Sequence, residues 1–226
     1  MIAIDIGNSS VKIGFFKEKE LTVKKYTEVE RIPFLKDDKI IISSVNPDKK
    51  NEVLKKISGK IIDINPLKIE EIDFEYNDLK SLGQDRVAAI FSAYKKFGSP
   101  VLIVDFGTAI TIDFLSSENR YSGGMIFPGP LTITKCLEDK TALLKNHVFN
   151  IVGGLGKSTF DCIDSGITNA IIGLIGRAIR NTKEDKTELI FTGGYGKEFM
   201  RYFKKVIFAE NLVLEGLIRY GETQGR

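Results

Sequence analysis

Two stretches of this chain close an apolar run with an aspartate and then a glycine turn: Ile2-Ala3-Ile4-Asp5-Ile6-Gly7-Asn8 and Val101-Leu102-Ile103-Val104-Asp105-Phe106-Gly107-Thr108. The glycine lets the backbone turn back with its amides presented, a geometry that suits phosphate oxygens. The aspartate at the strand end can hold a hydrated cation that bridges those oxygens. One such turn is also ordinary hairpin punctuation. Two copies about a hundred residues apart, with a third apolar run ending in Thr192-Gly193-Gly194, point instead to a site that grips a phosphate chain. A further carboxylate stands in Gly83-Gln84-Asp85-Arg86, at the start of a helical pattern. There the exposed amides, the helix dipole and Arg86 favour the ionised form. A carboxylate so placed is a weak base. Phosphoryl transfer asks little base strength, because its loose transition state is stabilised by alignment and charge neutralisation.

Composition excludes several other chemistries. The 226 residues are 42% apolar and 28% charged, which suits a globular chain with a substantial core. Thirty-three basic against thirty acidic residues give a net charge of +3, too balanced to mark a nucleic-acid partner. Cys136 and Cys162 form no CxxC pair and His147 is the single imidazole, so neither a structural zinc site nor a disulfide framework is expected. His147 reads as a surface or packing histidine that the chemistry can do without. Gly153-Gly154-Leu155-Gly156-Lys157-Ser158-Thr159 imitates a Walker A loop, but Ile151 occupies the position of its first glycine. No signal-peptide pattern opens the sequence, and the apolar stretch at Ala170 to Ile175 is far shorter than the roughly 20 residues that cross a bilayer. A cytoplasmic protein without membrane or nucleic-acid partners is expected.

The elements that must carry these residues alternate. Strands are expected at Ile2–Ile6, Val11–Phe16, Leu21–Tyr26, Ile40–Val45 and Ile61–Ile64, with a helix at Asn51–Ile57. Ser81-Leu82-Gly83-Gln84 has the form of a capping box, followed by Val87, Ile90, Phe91 and Tyr94 at one-face helical spacing. Phe97-Gly98-Ser99-Pro100 closes that helix and marks a boundary between halves at 1–98 and 99–226. Beyond it the opening pattern returns, with a second strand at Thr111–Leu115 and a glycine turn at Gly123-Gly124. Asp113 is expected to face solvent at the end of that second strand and, like Asp73, is left out of the site. Ile167, Ile171, Leu174, Ile175 and Ala178 share one face of a later helix. Ile172 and Ile179 add a second apolar face, which suggests a homodimer contact. Helices at Lys197–Phe203 and Leu212–Gly221 complete the reading.

In order and spacing, the two phosphate turns and the Thr192-Gly193-Gly194 segment resemble the actin-like ATPase superfamily of sugar kinases, acetate kinase, actin and DnaK-type chaperones. Within it, Asp5-Ile6-Gly7-Asn8-Ser9, Gly83-Gln84-Asp85-Arg86, Asp105 to Asp113, Gly123-Gly124-Met125-Ile126-Phe127-Pro128-Gly129 and Asn211 to Leu217 are similar to the signature series of type III pantothenate kinases. The resemblance runs over nearly the whole chain.

It implies an α/β fold of two duplicated RNase H-like domains, each with a mixed five-stranded sheet flanked by helices, and an active site in the cleft between them. It implies pantothenate as substrate, with ATP, Mg²⁺ and a monovalent cation, K⁺ or NH₄⁺. By the same resemblance the ATP-phosphate segment maps to Asp5, Ile6, Gly7, Asn8, Ser9, Ser10, Val11 and Lys12. Thr108, Gly193 and Gly194 become further nucleotide contacts. Asp105 becomes the monovalent-cation ligand, with Asp5 helping to hold Mg²⁺, and Asp85 the proton acceptor. Substrate contacts fall on Tyr76, Gly83, Gln84, Asp85, Arg86 and Thr159. Gln84, Met125 and Phe127 are bulkier than the family's usual residues, and the chain is somewhat short, so the acceptor pocket is where this protein is expected to differ. The residues themselves leave two alternatives open: a kinase of another small alcohol, and a non-catalytic regulator with a transcription-accessory role.

Overall fold

The computed structural model describes residues 1–141 and 144–224. The chain forms two compact units. The first comprises Met1–Ser99, Ser117–Gly123 and the residues from Asn211 on, and the second Pro100–Ser116 and Gly124–Glu210. The boundary after Ser99 follows Gly98, whose φ of 80° ends the preceding helix. The C-terminal helix is grouped with the first unit because it packs there.

In the first unit β1 (Ile2–Ile6), β2 (Val11–Lys17), β3 (Glu20–Tyr26), β4 (Leu35–Ser44) and β5 (Ile57–Asp63) form a sheet of order β3-β2-β1-β4-β5. The β1–β2 and β2–β3 pairs are antiparallel, and β1–β4 and β4–β5 are parallel. Helix α1 (Pro47–Leu54) makes the crossover between the parallel strands β4 and β5. It starts earlier than apolar spacing suggests, because Asn46 caps it by accepting from the Lys49 amide and Pro47 fits the first helical position. One face of the sheet buries Ile2, Ile4, Ile6, Ile13, Ile40 and Ile42 in a common core. Helices α2 (Gln84–Phe97) and α6 (Leu212–Thr223) pack on each other, and α6 also lies on β1 and β4. At Gly216 a Cβ would stand 2.0 Å from the Ala88 carbonyl oxygen, so only glycine allows this approach.

The second sheet runs β11-β10-β7-β8-β9-β6, from β7 (Val101–Phe106), β8 (Ala109–Leu115), β9 (Arg120–Pro128), β10 (Glu188–Gly193), β11 (Val206–Phe208) and the two-residue β6 (Asp73–Phe74). Without β6, which pairs with Arg120 and Tyr121 of the first unit, the order β9-β8-β7-β10-β11 repeats that of the first sheet. The strand senses repeat as well: β7 is antiparallel to β8 and parallel to β10, which is parallel to β11. Helices α3 (Pro130–Lys140), α4 (Thr159–Thr182) and α5 (Gly196–Phe199) belong to this unit. By length and composition α4 could cross a membrane, but Ile167, Ile171, Ile175 and Ala178 are buried in the second core.

Several sequence expectations are corrected. Helix α2 is capped at Gly83 rather than Ser81, whose hydroxyl donates to the Asp78 carbonyl, so no capping box forms. Gly123 and Gly124 lie inside β9 and make no turn, although Gly123 has a φ of 99°. Asp113 is 1% exposed within β8, not solvent-facing. The helix expected at Lys197–Phe203 is one α-helical turn running into a 3-10 turn at Met200–Tyr202.

Candidate active site

Strand pairing assembles the first part of the site. In the first unit Asp5 on β1 lies opposite Ser43 on β4 and Lys12 on β2. The fully buried Ser43 hydroxyl donates to Asp5 Oδ1 at 2.8 Å. Burial pushes the Asp5 carboxyl up to about 6; the Ser43 hydrogen bond opposes this, the Asp85 carboxylate adds to it, and Lys12 lowers it slightly. That coupling places Asp5 and Asp85 in one electrostatic site. The turn after Asp5 closes through the Gly7 amide on the Ser10 carbonyl at 3.0 Å. Lys49, in the first turn of α1, donates to the carbonyls of Gly7 at 3.3 Å and Asn8 at 2.6 Å, and Asn46 Nδ2 donates to Asn8 Oδ1 at 3.3 Å. The loop is thereby held by its carbonyls, with an ammonium at the turn expected to meet phosphate.

Helix α2 begins at the residues expected to meet the acceptor. Gln84 fastens its start: Oε1 accepts from the Ser44 amide at 2.8 Å and Nε2 donates to the Ile64 carbonyl at 3.2 Å. The bulk that set Gln84 apart in the sequence is thus turned to the ends of β4 and β5. Asp85 stands in the first turn, where its Oδ1 accepts from the Arg86 amide at 2.8 Å. Arg86 is 6% exposed, and its Nη2 donates to the Tyr121 hydroxyl at 2.8 Å. The Tyr121 ring stacks against Tyr76 at 6.1 Å between centroids and tilts against Phe74 at 5.7 Å. A cavity of about 400 Å³ beside them is lined by Glu75, Tyr76, Asn77, Asp78, Ser81 and Ser122.

In the second unit Asp105 on β7 lies opposite Thr192 on β10, and the Gly194 amide donates to the Phe106 carbonyl at 2.9 Å. Gly193 has a φ of 85°, and a Cβ there would stand 2.5 Å from Asp105 Oδ1. The Thr108 carbonyl accepts from the Gly129 amide at 2.9 Å and from the Thr132 hydroxyl at 2.6 Å. Asp105, Thr108, Gly193 and Gly194 are therefore neighbours on two turns. Met125 and Phe127 pack against the second core, while Ile126 between them is 65% exposed, so the two bulkier residues stand on the core side of β9. Thr159 is exposed at the start of α4, after Ser158, whose side chain caps the helix by accepting from the Asp161 amide. The segment before it is laced to α4: His147 Nε2 lies 2.7 Å from Asp164 Oδ1, the Asn150 amide donates to Asp164 Oδ2, and the Val152 amide donates to Thr168. His147 also stacks on Phe160 at 4.6 Å, which makes it a packing histidine.

Among the described residues no group of three or more His, Cys, Asp or Glu side chains is gathered to hold a metal ion. Asp5 alone still fits Mg²⁺, which is usually bound through one or two carboxylates, waters and substrate phosphates. Ser43, Lys49 and Tyr121 were missed by sequence reasoning. Ser43 could have been found only from the register of β4 on β1, whereas the Asn46-Pro47 helix start was a readable signal for Lys49.

A model of the type III pantothenate kinase family matches residues 1–181. A type III pantothenate kinase from Thermosipho melanesiensis is 35% identical over 244 residues, covering 98% of each chain. Among solved structures, a conserved protein described as a Baf family transcriptional activator from Campylobacter jejuni superposes with a TM-score of 0.69 at 24% identity, covering 99% of this chain and 98% of that one. One described as a 2-dehydro-3-deoxygalactonokinase from Sinorhizobium meliloti gives 0.64 at 12% identity and 99% of each chain. At these identities the two structures show the fold alone. The family match and the relative cover the phosphate turns and the Gly83–Arg86 helix start described above, and the chain belongs to the type III pantothenate kinase family.

Proposed function

We propose that this protein transfers the γ-phosphoryl group of ATP to the primary hydroxyl of pantothenate, giving 4'-phosphopantothenate in the first step toward coenzyme A. The observation that carries this reading is the Asp5–Asp85 pair: a phosphate-turn aspartate whose carboxyl is raised in part by the helix-start carboxylate of Asp85. The segment from Asp5 to Lys12 holds the phosphate chain, with Lys49 adding positive charge to the loop. Asp85 orients the acceptor hydroxyl and takes its proton as the oxygen–phosphorus bond forms and ADP leaves. The resemblance assigns Tyr76, Gly83, Arg86 and Thr159 to the acceptor and Thr108, Gly193 and Gly194 to the nucleotide, while the Gln84 side chain, held by Ser44 and Ile64, anchors the start of α2. Asp5 would hold Mg²⁺ and Asp105 a monovalent cation, K⁺ or NH₄⁺; both supply charge neutralisation on the phosphates when bound. Ile179, 40% exposed on α4, supports a homodimer, although Ile172, expected to share that face, packs against the second core.

The reading is tested by ADP release across a panel of small alcohols, with and without K⁺, for the wild type and Asp85→Asn. Pantothenate-dependent, K⁺-stimulated turnover is expected, falling by roughly a hundredfold or more in the variant. Turnover with a different alcohol only, or full activity in Asp85→Asn, would contradict it.

A further inference from the structure

Tyr121 belongs to none of the segments that carry the nucleotide or the acceptor, yet it is the residue through which two acceptor contacts meet. Its ring is fully buried. Its hydroxyl accepts from Arg86 Nη2 at 2.8 Å, and its ring stacks on Tyr76 with an interplanar angle of 25°. Backbone pairing holds it in place, since Tyr121 lies opposite Phe74 in the short parallel β6–β9 ladder, two residues before Tyr76. Arg86 is on α2, Tyr76 is in the segment after β6, and Tyr121 on β9 is the shared support.

A guanidinium is a rigid fork whose usefulness depends on where its donors are aimed. A hydroxyl that takes one donor helps to fix the plane of the fork and the directions of its other donors. Phenylalanine at this position would keep the stack on Tyr76 and lose that constraint. We propose that Tyr121 is a positioning residue for the acceptor, holding the Arg86 guanidinium and the Tyr76 ring in one fixed array. This rests on reading the Tyr76–Arg86 region as the pantothenate site.

The test is Tyr121→Phe, measured in two ways. In steady-state kinetics KM for pantothenate rises roughly tenfold, the effect of one misplaced charge-assisted contact, while KM for ATP and kcat stay within about twofold. In ¹⁵N NMR the Arg86 guanidinium signal, identified by its loss in Arg86→Lys, shows slower rotation in the wild type than in the variant. Tyr121→His, which keeps a ring with an acceptor nitrogen, recovers part of the KM and covers the case in which the phenylalanine variant fails to fold. A hydroxyl that served stability alone would lower the melting temperature and leave KM and the guanidinium signal as they are, which overturns the proposal. If the wild type does not phosphorylate pantothenate, the functional reading fails, and the NMR comparison still decides whether Tyr121 holds Arg86.

Discussion

Asp5 is held in a costly state. Its carboxyl titrates at about 6 in the fold against 3.8 in the unfolded chain, chiefly through burial. Between those values the folded protein binds the proton that the unfolded chain has released, so stability falls as pH rises from about 4 to 6 and stays reduced above. The full shift corresponds to about 3 kcal/mol at most. Asp5→Asn removes the charge and keeps an oxygen for Ser43. In chemical denaturation without nucleotide or metal, the variant is expected to be more stable than the wild type by about 1–3 kcal/mol at pH 8, with the gap closing toward pH 4. The same variant is expected to lose kinase activity. Equal stability of the two proteins at pH 8 would show that Asp5 is not strained by burial.

At the level of elements, the two aspartate-glycine turns were legible because each ends an apolar strand, and the strand-order repeat confirms that the likeness of their sequences is a likeness of folds. Details set by distant partners were not legible. Gln84 reads as a capping-box residue only while Ser44 and Ile64 are unknown; with their backbone groups within 3.2 Å, the glutamine bonds them and the cap moves to Gly83. Asp113 reads as a strand-end residue until β7 covers it on the opposite side of the ladder, with Ile103 as its partner. Gly216 looks like an isolated helix glycine, although it is where α6 meets α2. Gly216→Val forces those helices apart and is expected to cost about 2–3 kcal/mol, seen as a lower denaturation midpoint. An unchanged midpoint would mean that the α2–α6 approach contributes little to the first unit.

For the whole molecule, the family match and the relative of nearly equal length agree on a pantothenate kinase. Light scattering is expected to give twice the 25.2 kDa chain mass, and a monomeric mass would remove the dimer from the account. The residues proposed for catalysis are all aspartates, served by serine, lysine and arginine neighbours; the one histidine packs against Phe160 and is expected to take no part. The central claim is that these carboxylates direct a phosphoryl group onto an alcohol. It is tested most directly by ³¹P NMR of the wild type and Asp85→Asn incubated with ATP, Mg²⁺, K⁺ and pantothenate. A phosphate monoester signal coupled to the methylene of the acceptor's primary alcohol is predicted for the wild type and its near absence for the variant, whereas inorganic phosphate as the sole product would contradict the account.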